Sequence, residues 1–250
     1  MYTLKKSLGQ HFLKEERICK QILEALQQHS FKHLLEVGPG GGALTKYLLQ
    51  WSNIDFKAVE LDEEKIKYLQ QTYPAITTQL IHASVLDIKA PFITSFAIVG
   101  NFPYNISAPI LFKLIEWHAQ LSVVVGMFQK EVAQRVAAIP GNKVYGIISV
   151  LIQAYFEVQY LFEVDEQAFI PPPKVKSAVI QLIPRKALPN MYSEKRFRLL
   201  VKTAFNQRRK TLRNAVKSLF DASILQQEVF NKRAETLSVN DFAALTHIMR

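Results

Sequence analysis

Residues 36–42, with the sequence Glu-Val-Gly-Pro-Gly-Gly-Gly, decide the fold of this chain. They follow an apolar segment of strand length at 33–37 and precede a helical pattern at 43–51. Glycines allow the backbone to approach a ligand closely and to adopt positive φ angles. The first turn of a helix offers free N–H groups, and open α/β sheets bind ligands at the carboxyl ends of their strands. The segment therefore predicts the first strand, loop and helix of an α/β domain with a ligand site.

The pattern on either side of this loop alternates between strands and helices. Strands are predicted at 33–37, 56–61, 79–83, 96–100, 121–128, 155–164 and 175–183. Helices are predicted at 15–29, 43–51, 62–71, 106–117, 130–138 and 145–153. This order predicts an α/β fold, a Rossmann-like, doubly wound, mostly parallel sheet of seven strands with an antiparallel edge. From residue 184 onward only helical patterns remain, so we expect one domain over 1–184 and a small all-helical domain over 185–250.

Composition indicates a globular protein, with 49% hydrophobic and 21% charged residues. Apolar runs stay well below the roughly 18 residues that a membrane helix needs, and the first residues do not resemble a signal peptide. The single cysteine, Cys19, cannot form a disulfide within the chain. These features predict a cytoplasmic protein without membrane contact. The six histidines show no metal-binding spacing, so we expect no metal site.

Positive charge is concentrated in the last quarter of the chain. Residues 1–183 contain 17 Lys or Arg and 16 Asp or Glu, whereas residues 184–250 contain 14 and 5. Residues 195–217 hold nine basic side chains and no acidic one. A block of one sign beside an enzyme-like domain indicates a polyanionic partner, most simply a nucleic acid.

Two cofactor classes fit the glycine loop. Gly38, Gly40 and Ala43 match the dinucleotide-binding pattern. Glu60, at the end of the next predicted strand and 22 residues after Gly38, can accept hydrogen bonds from two ribose hydroxyls. Both NAD and S-adenosylmethionine carry such a ribose. The loop and Glu60 therefore leave a dehydrogenase and a methyltransferase equally open.

The tetrapeptide Asn-Phe-Pro-Tyr at 101–104 favours the methyltransferase. It follows the fourth predicted strand, at the same edge of the sheet. An adenine amine is a poor nucleophile because its lone pair is delocalised into the ring, so it needs acceptors for both of its N–H groups. The Asn101 side-chain oxygen and the Pro103 carbonyl are suitable acceptors, and Tyr104 offers a flat face for an extruded base. Positioning and electrostatics supply the acceleration in such a site.

With these motifs in place, the sequence resembles the ribosomal RNA adenine dimethyltransferase family over nearly its whole length. The resemblance implies a class I S-adenosylmethionine-dependent methyltransferase fold with a helical, basic, rRNA-binding C-terminal domain. Its motifs lie at residues 7–13 (SLGQHFL), 36–45 with Glu60, 101–107 (NFPYNIS), 127–135 (MFQKEVAQR) with 145–146, 169–175 (FIPPPKV) and 205–214 (FNQRRKTLRN).

The resemblance assigns roles to individual residues. Asn101, Pro103 and Tyr104 are implied to be catalytic, with Phe169 stacking on the target adenine opposite Tyr104. Apart from the resemblance, the basic block predicts that Arg208, Arg209, Lys210 and Arg213 contact RNA phosphates, with the alternative that one or two of them join the domains instead. The implied cofactor residues are Gln10, His11, Leu13, Gly38, Gly40, Glu60, Leu61, Ser84, Val85 and Asn101.

One position departs from the family pattern. An acidic residue commonly follows the third strand, where it accepts a hydrogen bond from the cofactor adenine, but Ser84 stands there in this chain. Asp87 comes three residues later. We expect Ser84 to lie at the cofactor, with a weaker or water-mediated contact, and Asp87 to be a loop residue.

The implied reaction is the dimethylation of two adjacent adenines in a hairpin near the 3′ end of small-subunit rRNA. The expected partner is that rRNA within a pre-assembled subunit, and the protein is expected to be a monomer. One alternative is a resistance-type methyltransferase that acts on one adenine of large-subunit rRNA, against which the 205–214 signature argues. Another is a non-enzymatic, RNA-binding assembly factor, against which the intact 101–104 motif argues.

Overall fold

The structure is a computed structural model that describes residues 11–250. The chain forms two compact units. The first ends at Ala133 and resumes over Glu157–Pro184, and the second comprises Gln134–Phe156 and Arg185–Arg250. No helix within the described residues is long and apolar enough to cross a membrane.

The first unit is built on a seven-stranded sheet in the order β4-β3-β2-β5-β6-β9-β7. Strands β4, β3, β2, β5 and β6 are parallel, and β9 is antiparallel to β6. The predicted mostly parallel, doubly wound sheet is therefore confirmed. Its strands are β2 (His33–Val37), β3 (Asp55–Glu60), β4 (Leu80–His82), β5 (Phe96–Asn101), β6 (Leu121–Gln129), β7 (Phe156–Val164) and β9 (Ser177–Pro184).

The central strands are buried because both of their faces are covered. β5 is buried from Phe96 to Gly100, and β6 is buried over most of its length. Such strands have continuous apolar sequences rather than alternating ones. Their register places Gly100 beside Gly126 and Asn101 beside Met127, so the Asn-Phe-Pro-Tyr motif begins at the carboxyl end of the sheet.

A second, two-stranded sheet was not predicted. β1 (Phe12–Leu13) pairs in antiparallel register with β8 (Phe169–Ile170). The Lys14 N–H extends the ladder by donating to the Ala168 carbonyl at 2.9 Å. This pairing joins the start of the described chain to the segment just before β9.

The helices of the first unit follow the predicted pattern, apart from the one after the glycine loop. Regular α-helix there covers only Thr45–Leu48, because i→i−3 hydrogen bonds replace the α-helical pattern at its C-terminal end. The helices are α1 (Glu16–Gln27), α2 (Thr45–Leu48), α3 (Glu63–Thr72), α4 (Ser107–Trp117) and the start of α5 (Lys130–Ala137).

The second unit is helical. It contains the end of α5, α6 (Ile147–Tyr155), α7 (Glu194–Asn206), α8 (Leu212–Ala215) and α9 (Val239–Leu245). Tyr145 is fully buried within it, and its hydroxyl donates to the Leu237 carbonyl at 3.0 Å. The predicted division at residue 184 differs from this grouping in one respect: residues 134–156 pack with the C-terminal helices.

Candidate functional site

A cleft of about 400 Å³ lies at the carboxyl end of the sheet, within the first unit. It is lined by residues from β1, the glycine loop, the ends of β3 and β4, and the Asn-Phe-Pro-Tyr motif. Nearly all of the predicted cofactor and catalytic residues line this cleft: His11, Leu13, Gly38, Gly40, Glu60, Leu61, Ser84, Val85, Asn101, Pro103 and Tyr104. The remaining cofactor prediction, Gln10, lies outside the described residues.

The glycine loop needs glycine at positions where the backbone is left-handed. Gly40 has φ of +56° and Gly42 has φ of +81°. A Cβ atom on Gly42 would also lie 2.4 Å from Cε2 of Tyr73, and one on Gly40 would lie 2.9 Å from Cε1 of Phe12. Side chains at these positions would therefore strain the backbone and displace the aromatic rings that pack on the loop.

Glu60 holds the glycine loop and the end of β3 together. Its Oε2 accepts from the Gly40 N–H at 3.2 Å, and its Oε1 accepts from the N–H groups of Leu61 and Asp62, both at 2.9 Å. Burial raises the pKa of Glu60, while these three N–H groups lower it. A carboxylate has about four lone-pair sites, so these bonds leave it some capacity to accept from a ligand hydroxyl.

Glu36, the first residue of the 36–42 segment, is a second acidic group in the cleft, and sequence analysis gave it no role of its own. Its side chain is 1% exposed, and its Oε2 accepts a hydrogen bond from Oγ1 of Thr45 at 2.7 Å. Burial raises the pKa of Glu36 to about 8, and the nearby negative charge of Glu60 contributes. The carboxyl group is therefore mostly protonated near neutral pH.

The stability of the protein should depend on pH through Glu36. Between pH 4.5, the ordinary pKa, and about 8, the folded chain keeps a proton that the unfolded chain has lost. The free energy of unfolding should thus fall as pH rises through this window, by up to about 1.4 kcal/mol per unit. Urea unfolding from pH 5 to 9 measures this slope. The Glu36→Gln variant should show a flatter profile, and identical profiles would contradict the assignment.

Asn101 is anchored with its oxygen available. Its Nδ2 donates to the His11 carbonyl at 3.0 Å. Because that acceptor fixes which end of the amide is the nitrogen, Oδ1 is the atom left to accept from a ligand. No donor to Oδ1 is found among residues 11–250. The side chain therefore offers the acceptor that an adenine amine requires.

Pro103 and Tyr104 complete this side of the cleft. The Pro103 carbonyl accepts from the Ile106 N–H at 3.2 Å, and Oγ of Ser107 lies 3.5 Å from it while donating more closely, at 3.1 Å, to the Tyr104 carbonyl. The Tyr104 hydroxyl makes a short hydrogen bond with the hydroxyl of Ser177, and burial raises the pKa of Tyr104. The His11 ring stacks on Tyr104 with centroids 5.4 Å apart. The tyrosine ring is thus held in place by contacts at both its edge and its face.

Three residues to which sequence analysis gave no role pack together at the motif. Phe102 is 1% exposed, and its ring packs against Phe128 with centroids 4.8 Å apart. Its ring fills the space next to Gly126, where a Cβ atom would lie 2.2 Å from Cε2 of Phe102. In the sequence Gly126 resembles any glycine in a strand. Only the packing shows that it makes room for the Phe102 ring.

Ser84 and Asp87 differ in their placement. Ser84 lines the cleft, and its Oγ accepts from the Leu86 N–H at 3.2 Å. Asp87 is exposed and is not part of the cleft lining, although its N–H donates to the Ser84 carbonyl at 3.0 Å. The two residues form a turn that directs the serine, rather than the aspartate, toward the cleft.

Phe169 requires a correction. Its side chain is 1% exposed and packs in the hydrophobic core, and it does not line the cleft. Its backbone pairs with Leu13 in the two-stranded sheet. A ring buried in this way presents no face to a base, so the structure gives Phe169 a packing role in place of the predicted stacking role.

The four predicted RNA-binding residues divide into two kinds. Arg208 donates from Nη2 to the Lys143 carbonyl at 2.6 Å, and Arg213 donates from Nε to the Leu225 carbonyl at 2.9 Å. Both bonds lie within the second unit. Arg209 and Lys210 are exposed. These two are therefore the more accessible of the four cations.

Comparisons with known proteins agree with the sequence prediction. The chain is 49% identical over 249 residues to "Ribosomal RNA small subunit methyltransferase A" of Cytophaga hutchinsonii, covering 98% of this chain and 96% of that protein. The protein of the same name from Flavobacterium johnsoniae is 46% identical over 246 residues, covering 97% and 94%.

Solved structures share the fold. A dimethyladenosine transferase from Plasmodium falciparum matches with a TM-score of 0.79 and 24% identity, over 96% of this chain and 99% of that chain. The 23S rRNA methyltransferase ErmE matches with a TM-score of 0.70 and 22% identity, over 93% and 99%. At these identities the likeness confirms the methyltransferase fold alone. The family described as "Ribosomal RNA adenine dimethylase" matches residues 1–249, and the chain belongs to that family.

Proposed function

We propose that this chain is an S-adenosylmethionine-dependent enzyme that dimethylates the N6 amine of two adjacent adenines. The adenines lie in a hairpin near the 3′ end of small-subunit (16S) rRNA. The observation that carries this proposal is the anchored amide of Asn101, which lines the same cleft as the glycine loop and whose Nδ2 is bound to the His11 carbonyl.

The residues of the cleft fit the cofactor. S-adenosylmethionine supplies a methyl group already activated on a positively charged sulfonium. The partly bonded carboxylate of Glu60 suits ribose hydroxyls, and the buried carboxyl of Glu36 suits a cationic ligand once ionised. The positive φ angles of Gly38, Gly40 and Gly42 let the backbone approach closely.

Asn101 and Pro103 would position the amine. Oδ1 of Asn101 and the Pro103 carbonyl accept its two N–H bonds, which draws the nitrogen lone pair out of conjugation with the ring. Tyr104, held by Ser177 and His11, would stack on the extruded base. Polar groups that are fixed before the reaction lower its barrier without reorganising.

The choice of small-subunit rRNA rests on the relatives and on the 205–214 signature. The curated relatives at 43–49% identity carry the name of a small-subunit methyltransferase. We propose a pre-assembled small subunit as the substrate, a role in small-subunit assembly, a cytoplasmic location and a monomeric state. The resistance-type alternative, methylation of one adenine in large-subunit rRNA, has only the fold likeness to ErmE in its favour.

The decisive experiment incubates the protein with radiolabelled S-adenosylmethionine and unmethylated small or large subunits, followed by mapping of the modified bases. We expect label in two adjacent adenines of the small-subunit rRNA. Label in large-subunit rRNA alone would support the resistance-type alternative. Binding to small subunits without any label would support a non-enzymatic assembly factor.

Ser84 and Asp87 offer a test of the cofactor site. An aspartate at position 84 would add a charge-assisted hydrogen bond to the cofactor amine, about twice as strong as a neutral one. Calorimetry should therefore give the Ser84→Asp variant equal or up to about tenfold tighter binding of S-adenosylmethionine. Asp87→Ala should change it little, because the Asp87 side chain lies outside the cleft. A large loss in a folded Asp87→Ala variant would reverse these assignments.

A further inference from the structure

The loop that connects α5 and α6 has an exposed apolar tip. It comprises residues 139–144 (IPGNKV), which we call the 139–144 loop. Ile139 is 69% exposed and Val144 is 40% exposed. Pro140 and Lys143 are exposed as well. The loop therefore presents apolar side chains and a cation to solvent together.

Arg208 fastens this loop to the turn between α7 and α8. Its Nη2 donates to the Lys143 carbonyl at 2.6 Å and lies 3.5 Å from the Asn142 carbonyl. Its Nε lies 3.9 Å from Oε2 of Glu235. The backbone of Glu235 contributes too, since its carbonyl accepts from the Gly141 N–H at 2.7 Å. Much of the hydrogen-bonding capacity of Arg208 is thus used within the protein.

Exposed basic residues accompany the apolar tip. Arg209 and Lys210 directly follow Arg208 and are exposed, as is Lys143 on the fastened loop. In the part of the chain that the structure describes, no carboxylate forms an ion pair with any of these three cations. Their charges are therefore available to an anionic partner.

We propose that the 139–144 loop is a second RNA-docking element and that Arg208 is the residue that positions it. The inference rests on the proposed action on rRNA. In an A-form helix the minor groove is wide and shallow and is lined by riboses, which suit an apolar tip. The phosphates along its edges suit Lys143, Arg209 and Lys210. The proposed binding partner of the loop is therefore the minor groove of an rRNA helix.

The first test measures how binding to small subunits depends on salt. Removing one phosphate contact should flatten the log–log slope by about one unit, so Lys143→Ala should match Arg209→Ala. Ile139→Ser should weaken binding about tenfold without changing the slope, because it removes apolar contact and no charge. Lys67→Ala is the matched control, since its ammonium is already paired with Glu63 at 2.8 Å.

The Arg208→Lys variant tests whether Arg208 positions the loop or contacts an RNA phosphate directly. Lysine keeps the charge but lacks the fork of donors that holds two carbonyls. We expect Arg208→Lys to weaken binding as much as Arg208→Ala does. We also expect Lys143→Ala to add little in an Arg208→Ala background, because the loop is already released. Full rescue by lysine, or additive losses, would overturn the positioning role.

A tethered cleavage reagent identifies what the loop touches. The only native cysteine, Cys19, is 2% exposed, so a Pro140→Cys variant can carry an iron–EDTA group at the loop alone. Bound to small subunits, it should cut the rRNA at a few clustered sites, whereas the reagent-treated wild type should not. If the labelled variant saturates the small subunits but the rRNA is not cut, the loop contacts a ribosomal protein instead, and the proposal is wrong. Methylation of small subunits by the wild-type protein, measured separately, would show that the proposed function stands whatever the loop contacts.

Discussion

Replacing Asn101 with alanine should lower turnover by about 10²–10³-fold, the usual cost of losing one preorganised polar contact in a transition state. The variant loses Oδ1, the acceptor that remains on this cleft residue while Nδ2 donates to the His11 carbonyl. Single-turnover methylation of small subunits, with saturating S-adenosylmethionine, measures the chemical step. Cofactor affinity should change far less than the rate.

The alanine variant also loses the anchor to the His11 carbonyl, so a structural cause must be separated. Thermal unfolding and calorimetry with S-adenosylmethionine report on the fold and on the cofactor side of the cleft. Asn53→Ala, at an exposed loop asparagine, is the matched control and should keep the wild-type rate. Near wild-type turnover in a folded Asn101→Ala variant would remove Asn101 from the mechanism.

Adding a single methyl group at Gly126 should lower both the stability of the protein and its turnover. A Cβ atom there would lie 2.2 Å from Cε2 of Phe102 and 3.1 Å from Phe128. Phe102 has little room to move, because its side chain is 1% exposed and its ring packs against Phe128 with centroids 4.8 Å apart. Gly126→Ala should therefore cost about 1–3 kcal/mol of stability, as overpacked cores do. It should also lower turnover, because Phe102 lies between Asn101 and Pro103.

Urea unfolding and the methylation rate test this prediction together. In a double-mutant cycle, Phe102→Leu should recover part of the stability lost in Gly126→Ala, because a smaller side chain makes room. Wild-type stability and rate in Gly126→Ala would show that Phe102 has space to move.

The parts of the site that sequence reasoning found share a local signal. The loop at 36–42, Glu60 and Asn101 each follow a strand, and the carboxyl ends of parallel strands meet at one edge of a sheet. Placing them in one cleft therefore needed only the order of the elements. The raised pKa of Glu36 was not predicted, because its burial depends on what packs against the strand.

The missed features all depend on contacts between distant segments. β1 and β8 are two residues long each and lie more than 150 residues apart in the chain. Strands this short carry no periodicity that could be recognised. The burial of Phe169, the packing of Phe102 against Gly126 and the hydrogen bonds of Arg208 to the 139–144 loop likewise follow from tertiary structure. The motifs name Phe169 and Arg208, but the contacts of their side chains depend on segments that are distant in the sequence.

The hydrogen bond from the Asn101 side chain to the backbone carbonyl of residue 11 limits which changes in this segment the protein can tolerate. Every amino acid carries a carbonyl, so the identity of residue 11 does not decide whether this acceptor exists. Losing or gaining one codon between positions 11 and 14 would instead shift the pairing with Phe169 and Ile170 and turn each side chain to the opposite face. In a library of variants at these codons, many substitutions should survive selection for methylation while single-codon deletions disappear. The position of the Asn101 amide therefore depends on the number of residues in this segment more than on their identity.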